Sequence, residues 1–462
     1  MIDAGVAAGH PATTAAGIEI LAAGGNAADA AVAASLASCV AETVMTGLLG
    51  GGHAIYFDAA SGRARNLDCF VAVPGLGGAE SRDAELLHLE VAFGAELVDY
   101  AIGPASCGVP GLPAGLVALW NAHGSLPWAR LVEPALQLAQ NGVEFPPAHA
   151  ACLAMLAPVM TMNEGAAIYA PGGELLPAGG RLEQPGLATA LSALAEDPFS
   201  FYCGSIGAAL VALCCERGGL VTETDLVSYE PVWSEPVGVD YLDVQLLTRG
   251  GLSGVPETVP RLPQLRSLDE TDRVLALVDV LEAASAGGGD TTNLAVVDAG
   301  GNACVLTSSL GLGSGDFLPG LDLHLNSMLG EEDLLDGHLE PGARMQSMMA
   351  PTLALDGDGL ALAAGAAGGT RLRTALLSVL AGILDERLAP DDAVARPRFH
   401  PAPEVVNAEP GVDEAGLAAL EAVGRSVRRW PAPHHYFGGV SLVSRNGAAA
   451  DLRRNGAAAT LG

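Results

Sequence analysis

The hydrophobic pattern of this chain changes period once, between residues 284 and 291, and that change limits the folds open to it. Leu268 to Ala284 carries helical spacing, with Val274, Leu275, Leu277, Val278 and Leu281 on one face. Ala286-Gly287-Gly288-Gly289-Asp290 follows as a flexible run. Thr291 to Asp298 then reads as a strand, Ala299-Gly300-Gly301-Asn302 as a turn, and Ala303 to Ser308 as the returning strand. Taken alone, a threonine opening a strand is ordinary β-propensity, and the glycine run is a linker.

The N-terminal region reads as helix, helix, hairpin and not as alternating βαβ. Pro11 suits a first helical turn, Gly24-Gly25 stops that helix, and Asn26 caps a second from Ala27 to Val40. Gly50-Gly51-Gly52 leads into a strand from His53 to Phe57, and Ser61-Gly62 turns the chain toward another near Ala64 to Leu67. Residues 113–215 read as helices interrupted by Gly and Pro, and the Gly- and Pro-rich stretch Leu246 to Gln264 as a surface connection. Further strands fit Thr352 to Leu355, Leu360 to Ala363 and Gly439 to Val443; helices fit Thr370 to Leu384 and Glu414 to Val423. The pattern alone gives mixed α and β with sheet-rich ends and no fixed repeat.

Composition removes several function classes. The 462 residues include 53 acidic against 22 basic ones, a net charge of -31. Such a field repels phosphate backbones and anionic lipid, so neither nucleic acid nor a membrane surface is expected as partner. All the basic residues are arginine, so a Schiff-base lysine, a phosphate-loop lysine and a Ser-Lys dyad are excluded. A general base near neutral pH must then be a histidine, a shifted carboxylate or an α-amino group. The 8 cysteines form no C-x-x-C pair and read as buried, reduced thiols. With no apolar signal segment at Met1-Ile2-Asp3-Ala4-Gly5, a soluble, cytoplasmic protein is expected. His434-His435 lacks a third ligand at suitable spacing, so no metal is expected, and no cofactor.

A set of motifs spread along the chain carries the functional signal. Asp290-Thr291-Thr292, Val296-Val297-Asp298 and Gly301-Asn302-Ala303 resemble the start of the small subunit of the γ-glutamyltranspeptidases. These glutathione hydrolases belong to the N-terminal-nucleophile hydrolases. Gly24 to Ala31, Gly47 with Gly50-Gly51-Gly52, and Gly108-Val109-Pro110-Gly111 resemble further signatures of that family. So do Gly313-Ser314-Gly315, Leu325-Asn326, Ser347-Met348 with Pro351-Thr352, Gly368-Gly369-Thr370-Arg371 and Arg398-Phe399-His400, all in the family's order.

The resemblance implies an α+β fold, a four-layer αββα sandwich. It implies one intertwined unit made of a large-subunit region, residues 1–290, and a small-subunit region, residues 291–462. The Thr291 hydroxyl would attack the carbonyl of Asp290, and the two self-cleaved fragments would stay together as a heterodimer. Thr291 would be the nucleophile and its own amino group the base; an α-amino pKa of about 7.7–8.0 suits that task better than the roughly 10.4 of a lysine. Ser309 falls where the family has a threonine supporting the nucleophile, or it is a turn serine capping its own loop. Gly368 and Gly369 match the glycines whose N–H groups form the oxyanion hole. Glu331, Gln346 and Ser347 fall at substrate-binding positions, although Glu331-Glu332-Asp333 also reads as a solvated helix start.

The pocket departs from the family more than the catalytic core does. Phe70 replaces the arginine that clamps an α-carboxylate, and Met328 replaces a glutamine. Gln346-Ser347 replaces a serine pair, and Asn293 a histidine. Either Arg344, Arg371 or Arg373 binds the carboxylate instead, or the substrate is another amide with an apolar acyl part. The expected activity is that of an autoprocessed γ-glutamyltransferase or glutathione hydrolase-like amide hydrolase acting on a small-molecule amide or γ-glutamyl substrate. The alternatives are a related acylase on a non-glutamyl amide, and an unprocessed, non-catalytic binding protein of the same fold.

Overall fold

The computed structural model describes residues 4–78, 86–93, 96–282, 291–335 and 339–462. Two antiparallel sheets face each other. The first has seven strands, in spatial order Ala457–Leu461, Ala4–Ala8, Thr292–Val297, Ala303–Ser309, Gly51–Asp58, Arg63–Cys69 and Val232–Ser234. The second has six: Gly447–Ala450, Gly439–Ser444, Gly359–Ala367, Thr352–Asp356, Val244–Thr248 and Val237–Tyr241.

Strand alternation decides which side chains meet which layer. In Thr292–Val297, Leu294 and Val296 turn toward the Pro11–Ala22 and Ala27–Ala41 helices, while Ala295 turns toward the second sheet. The layer between the sheets joins small residues (Ala7, Ala64, Ala295, Ala303, Ala363) with Ile55, Phe57, Val305, Leu353 and Val443. On the outer side of the second sheet, Ala354, Leu362, Ala364 and Leu442 pack under the helices Glu270–Leu281, Arg371–Leu384 and Glu414–Ala422. The order of layers is therefore αββα, as the resemblance implied. Each buried leucine in these layers contributes about 1.5–3 kcal/mol over exposure.

Both sheets combine strands from before residue 283 with strands from after residue 291. Ala4–Ala8 lies beside Thr292–Val297, Gly51–Asp58 beside Ala303–Ser309, and Val244–Thr248 beside Thr352–Asp356. Loop motifs lock these pairings. Asp298 accepts from the Ala27 N–H at 2.8 Å and from Gly300 and Asn302, tying the hairpin turn to the start of a helix. The Asn326 amide donates to the carbonyls of Leu49 (2.8 Å) and Gly108 (2.9 Å), while its oxygen accepts from the Gly108 N–H.

Several expectations change. Leu246 to Gln264 is not only a surface connection: it contains the end of the Val244–Thr248 strand, and Val255 and Val259 are buried in the second core. The strand pair Leu87–Phe93 and Glu96–Ile102, the edge strand Ala457–Leu461 and its neighbour Ala4–Ala8 are not among the expected strands; the last two are mostly alanine, which carries little β-propensity.

Candidate active site

Thr291 stands immediately before the Thr292–Val297 strand and is 5% exposed. That strand pairs Thr292 with Ser308 of Ala303–Ser309. One further step of the register sets Thr291 opposite Ser309, and directly opposed residues share a face. Both line a cleft with about 420 Å³ of empty space. The Ser309 hydroxyl accepts from the Gly311 N–H at 2.8 Å, which ties its oxygen to the turn that follows the strand. Behind it, the hydroxyls of Ser308 and Thr46 are 2.8 Å apart.

Glycines let these segments close up. A Cβ on Gly50 would strike the Ser309 carbonyl, and one on Gly51 would lie 2.6 Å from the Val71 nitrogen. The triple glycine is thus packing between the Ser309 strand and the Phe70 wall. Gly368 and Gly369 follow the Gly359–Ala367 strand and precede the Arg371–Leu384 helix, with φ of 126° and 55°. Gly369 lines the cleft. Gly368 lies behind it, where a Cβ would come 2.8 Å from the Gly438 Cα.

The other walls are Phe70, Met328, Glu331, Asp333, Leu334, Ser347, Met348, Met349 and Leu372. Of the expected substrate residues, Glu331 and Ser347 are therefore present. Gln346 is exposed and lies outside this lining, while the next three residues, Ser347, Met348 and Met349, line it. Burial, then the neighbouring Glu332, pushes the Asp333 carboxyl upward.

The three candidate arginines are engaged elsewhere. Arg344 donates to the carbonyls of Phe70 (2.7 Å) and Glu230 (2.6 Å), sits 3.4 Å from Asp68 and stacks over Tyr229. Arg371 is buried against the Tyr436 carbonyl and ring. Arg373 reaches Thr258 and the carbonyls of Leu281 and Glu282. Among the described residues lining the cleft there is no arginine. Phe70 is backed by a stacked His53, whose pKa burial holds well below the usual value.

Two residues near Thr291 had no signal in the sequence. Arg454 donates to the Thr291 carbonyl at 3.3 Å, and Glu42 accepts from the Thr292 hydroxyl. Asp290 and glycines 287–289 lie outside the described residues. Among the described residues no group of three or more His, Cys, Asp or Glu is placed to hold a metal ion, and no helix is long and apolar enough to cross a membrane. None of the eight cysteines is in a disulfide.

The family model described as gamma-glutamyltranspeptidase matches residues 13–272 and 264–461. An acylase ACY 1 proenzyme of Pseudomonas sp. strain SE83 is 30% identical, over 96% of this chain and 89% of its own length. A glutathione hydrolase proenzyme of Bacillus subtilis is 24% identical, over 99% of this chain and 91% of its own. The crystal structure of a cephalosporin acylase from Bacillus halodurans superposes with a TM-score of 0.85 at 24% identity, covering 100% of this chain and 96% of the other. With the match spanning nearly the whole chain, this protein belongs to the gamma-glutamyltranspeptidase family, with the fold of its N-terminal-nucleophile hydrolases.

Proposed function

We propose that this family member is an autoprocessed amide hydrolase in which Thr291 is nucleophile and its own amino group is base, and that its acyl donor is apolar. The observation that carries the reading is the single cleft that gathers Thr291, Ser309 and Gly369 behind a wall of Phe70, Met328, Met348, Met349 and Leu372. Several relatives, acylases and glutathione hydrolases alike, are proenzymes, which supports self-cleavage.

In maturation the Thr291 oxygen attacks the Asp290 carbonyl carbon. The Asp290–Thr291 amide bond breaks, the nitrogen gains the hydroxyl proton, and an ester links the two residues. Water then hydrolyses that ester, leaving a carboxylate on Asp290 and a free amine and hydroxyl on Thr291. In turnover the amine takes the hydroxyl proton as the oxygen attacks the substrate amide, and passes it to the departing amine. The Gly369 N–H, with Gly368, faces the negative oxygen that develops. Water, deprotonated by the same amine, releases the acid, and fragments 1–290 and 291–462 stay together through their shared sheets.

A γ-glutamyl donor is the second reading, favoured by Glu331, a carboxylate in the cleft suited to an ammonium group. We also assign the protein to a reducing compartment, the cytoplasm, on its eight cysteines outside any disulfide; fractionation that finds it in an oxidising compartment refutes this. Thr291→Ala tests the main reading: the variant stays one chain and turns over neither donor. A variant that cleaves or hydrolyses amides at the wild-type rate overturns it.

A further inference from the structure

We propose that Glu42 is a positioning residue for Thr291, gripping the start of its strand and thereby setting the rates of self-cleavage and of turnover. The inference rests on the reading of Thr291 as nucleophile. Glu42 follows the Ala27–Ala41 helix and is fully buried. One carboxylate oxygen accepts from the Thr13 hydroxyl at 2.6 Å, the other from the Thr292 hydroxyl. The carboxylate thus joins the first helix, the second helix and the strand that begins beside the nucleophile.

Arg454 completes the grip from the opposite side. Its guanidinium donates to the Thr291 carbonyl and the His435 carbonyl, both at 3.3 Å, and lies 3.7 Å from the Met45 sulfur. The Thr291–Thr292 unit is therefore held by its carbonyl and by the next hydroxyl. The approach is built in: a Cβ on Gly9 would lie 2.7 Å from the Thr292 oxygen and closer still to the Glu42 carboxylate. Packing alone gives no reason for a carboxylate here, since an apolar side chain would avoid the desolvation cost.

The other groups bearing on Glu42 are Arg454, which favours its charge, and Cys39 on its own helix, whose thiol burial and Glu42 push upward. Burial raises the Glu42 carboxyl to about 7. Both hydroxyls donate to the ionised form. A protonated carboxyl must itself donate from one oxygen, so one of the two hydroxyls loses its acceptor, and the grip loosens as pH falls below 7.

Self-cleavage is the readout, because it precedes the free amine and so carries no titration of that group. Fresh protein is followed on denaturing gels from about pH 5 to pH 9, with folding checked by circular dichroism. The wild-type rate is expected to rise through a transition near the Glu42 value of about 7. Glu42→Gln should cleave up to about 100-fold more slowly, the scale of a small misplacement of a reacting group, and lose the transition. Thr292→Val should behave alike and Thr292→Ser should restore the rate. In matured protein the loss should fall on kcat and leave KM unchanged. Wild-type rate and pH profile in Glu42→Gln overturn the inference alone. If that variant fails to fold, wild-type cleavage by Thr292→Val overturns it. A wild-type chain that never cleaves brings down the reading of Thr291 as well.

Discussion

Replacing the γ-glutamyl group by its uncharged counterpart probes the cleft most sharply. Pentanoyl anilide keeps the five-carbon skeleton of γ-glutamyl anilide, with a methyl in place of the carboxylate and a hydrogen in place of the ammonium. In the cleft that carboxylate would lose water against Phe70, which is 1% exposed, and meet no arginine among the lining residues. Leaving one ion of a buried pair without its partner costs about 3–5 kcal/mol. At about 1.36 kcal/mol per decade, kcat/KM for the γ-glutamyl anilide should be roughly a hundred- to a few-thousand-fold below that for pentanoyl anilide. Glu331 offsets part of this through the ammonium group, so a ratio toward the lower end, about a hundredfold, is expected. Release of the aniline from both donors by the matured enzyme gives the ratio directly. Phe70→Arg should narrow the gap at least about tenfold by supplying a bidentate partner. Equal or faster turnover of the γ-glutamyl donor by the wild type refutes the apolar-donor reasoning.

Four further outcomes are expected. Ser309→Ala should lower kcat about tenfold with KM unchanged, the scale of one lost hydrogen bond, and Ser309→Thr should keep activity; steady-state kinetics decide. Gly368→Ala should lower kcat about 10²–10³-fold while the chain remains folded, because a side chain at φ 126° against Gly438 shifts the donor loop. Asn326→Ala should destabilise the protein by about 3 kcal/mol, since it orphans the buried backbone groups of Leu49 and Gly108, and denaturant titration reads this. Glu42 should also shape stability against pH. Its carboxyl is raised from 4.5 to about 7, so over that window the native chain holds a proton the unfolded chain has released. Stability then falls as pH rises from 4.5 to 7, by about 3 kcal/mol, and Glu42→Gln should abolish that component in unfolding titrations at either end.

The hairpin that holds Thr291 and Ser309 was legible because Leu294, Val296, Val305 and Leu306 give a strand its composition and Gly300-Gly301 a turn. Alanine and glycine hide the rest. Ala4–Ala8 and Ala457–Leu461 read as neither strand nor helix, yet they pair with each other and extend the first sheet through backbone hydrogen bonds that ask little of the side chains. Val255 and Val259 sat among prolines and glycines, so their burial depended on the helices above them and not on any local period. Thr291, Ser309, Gly369, Glu331 and Ser347 could be placed from motif order. Glu42 and Arg454 could not, since they approach Thr292 and Thr291 across 250 and 163 residues of chain. Gln346 lies outside the cleft although Ser347 beside it lines the wall, because motif order places a residue along the chain without giving the direction of its side chain.

Terminal sequencing of purified protein, fresh and after ageing, bears most directly on the proposed chemistry. The account predicts two co-purifying fragments, one of them beginning with Thr291, increasing with time at the expense of the full chain. A population that remains intact, or that is cut at some other bond, contradicts it.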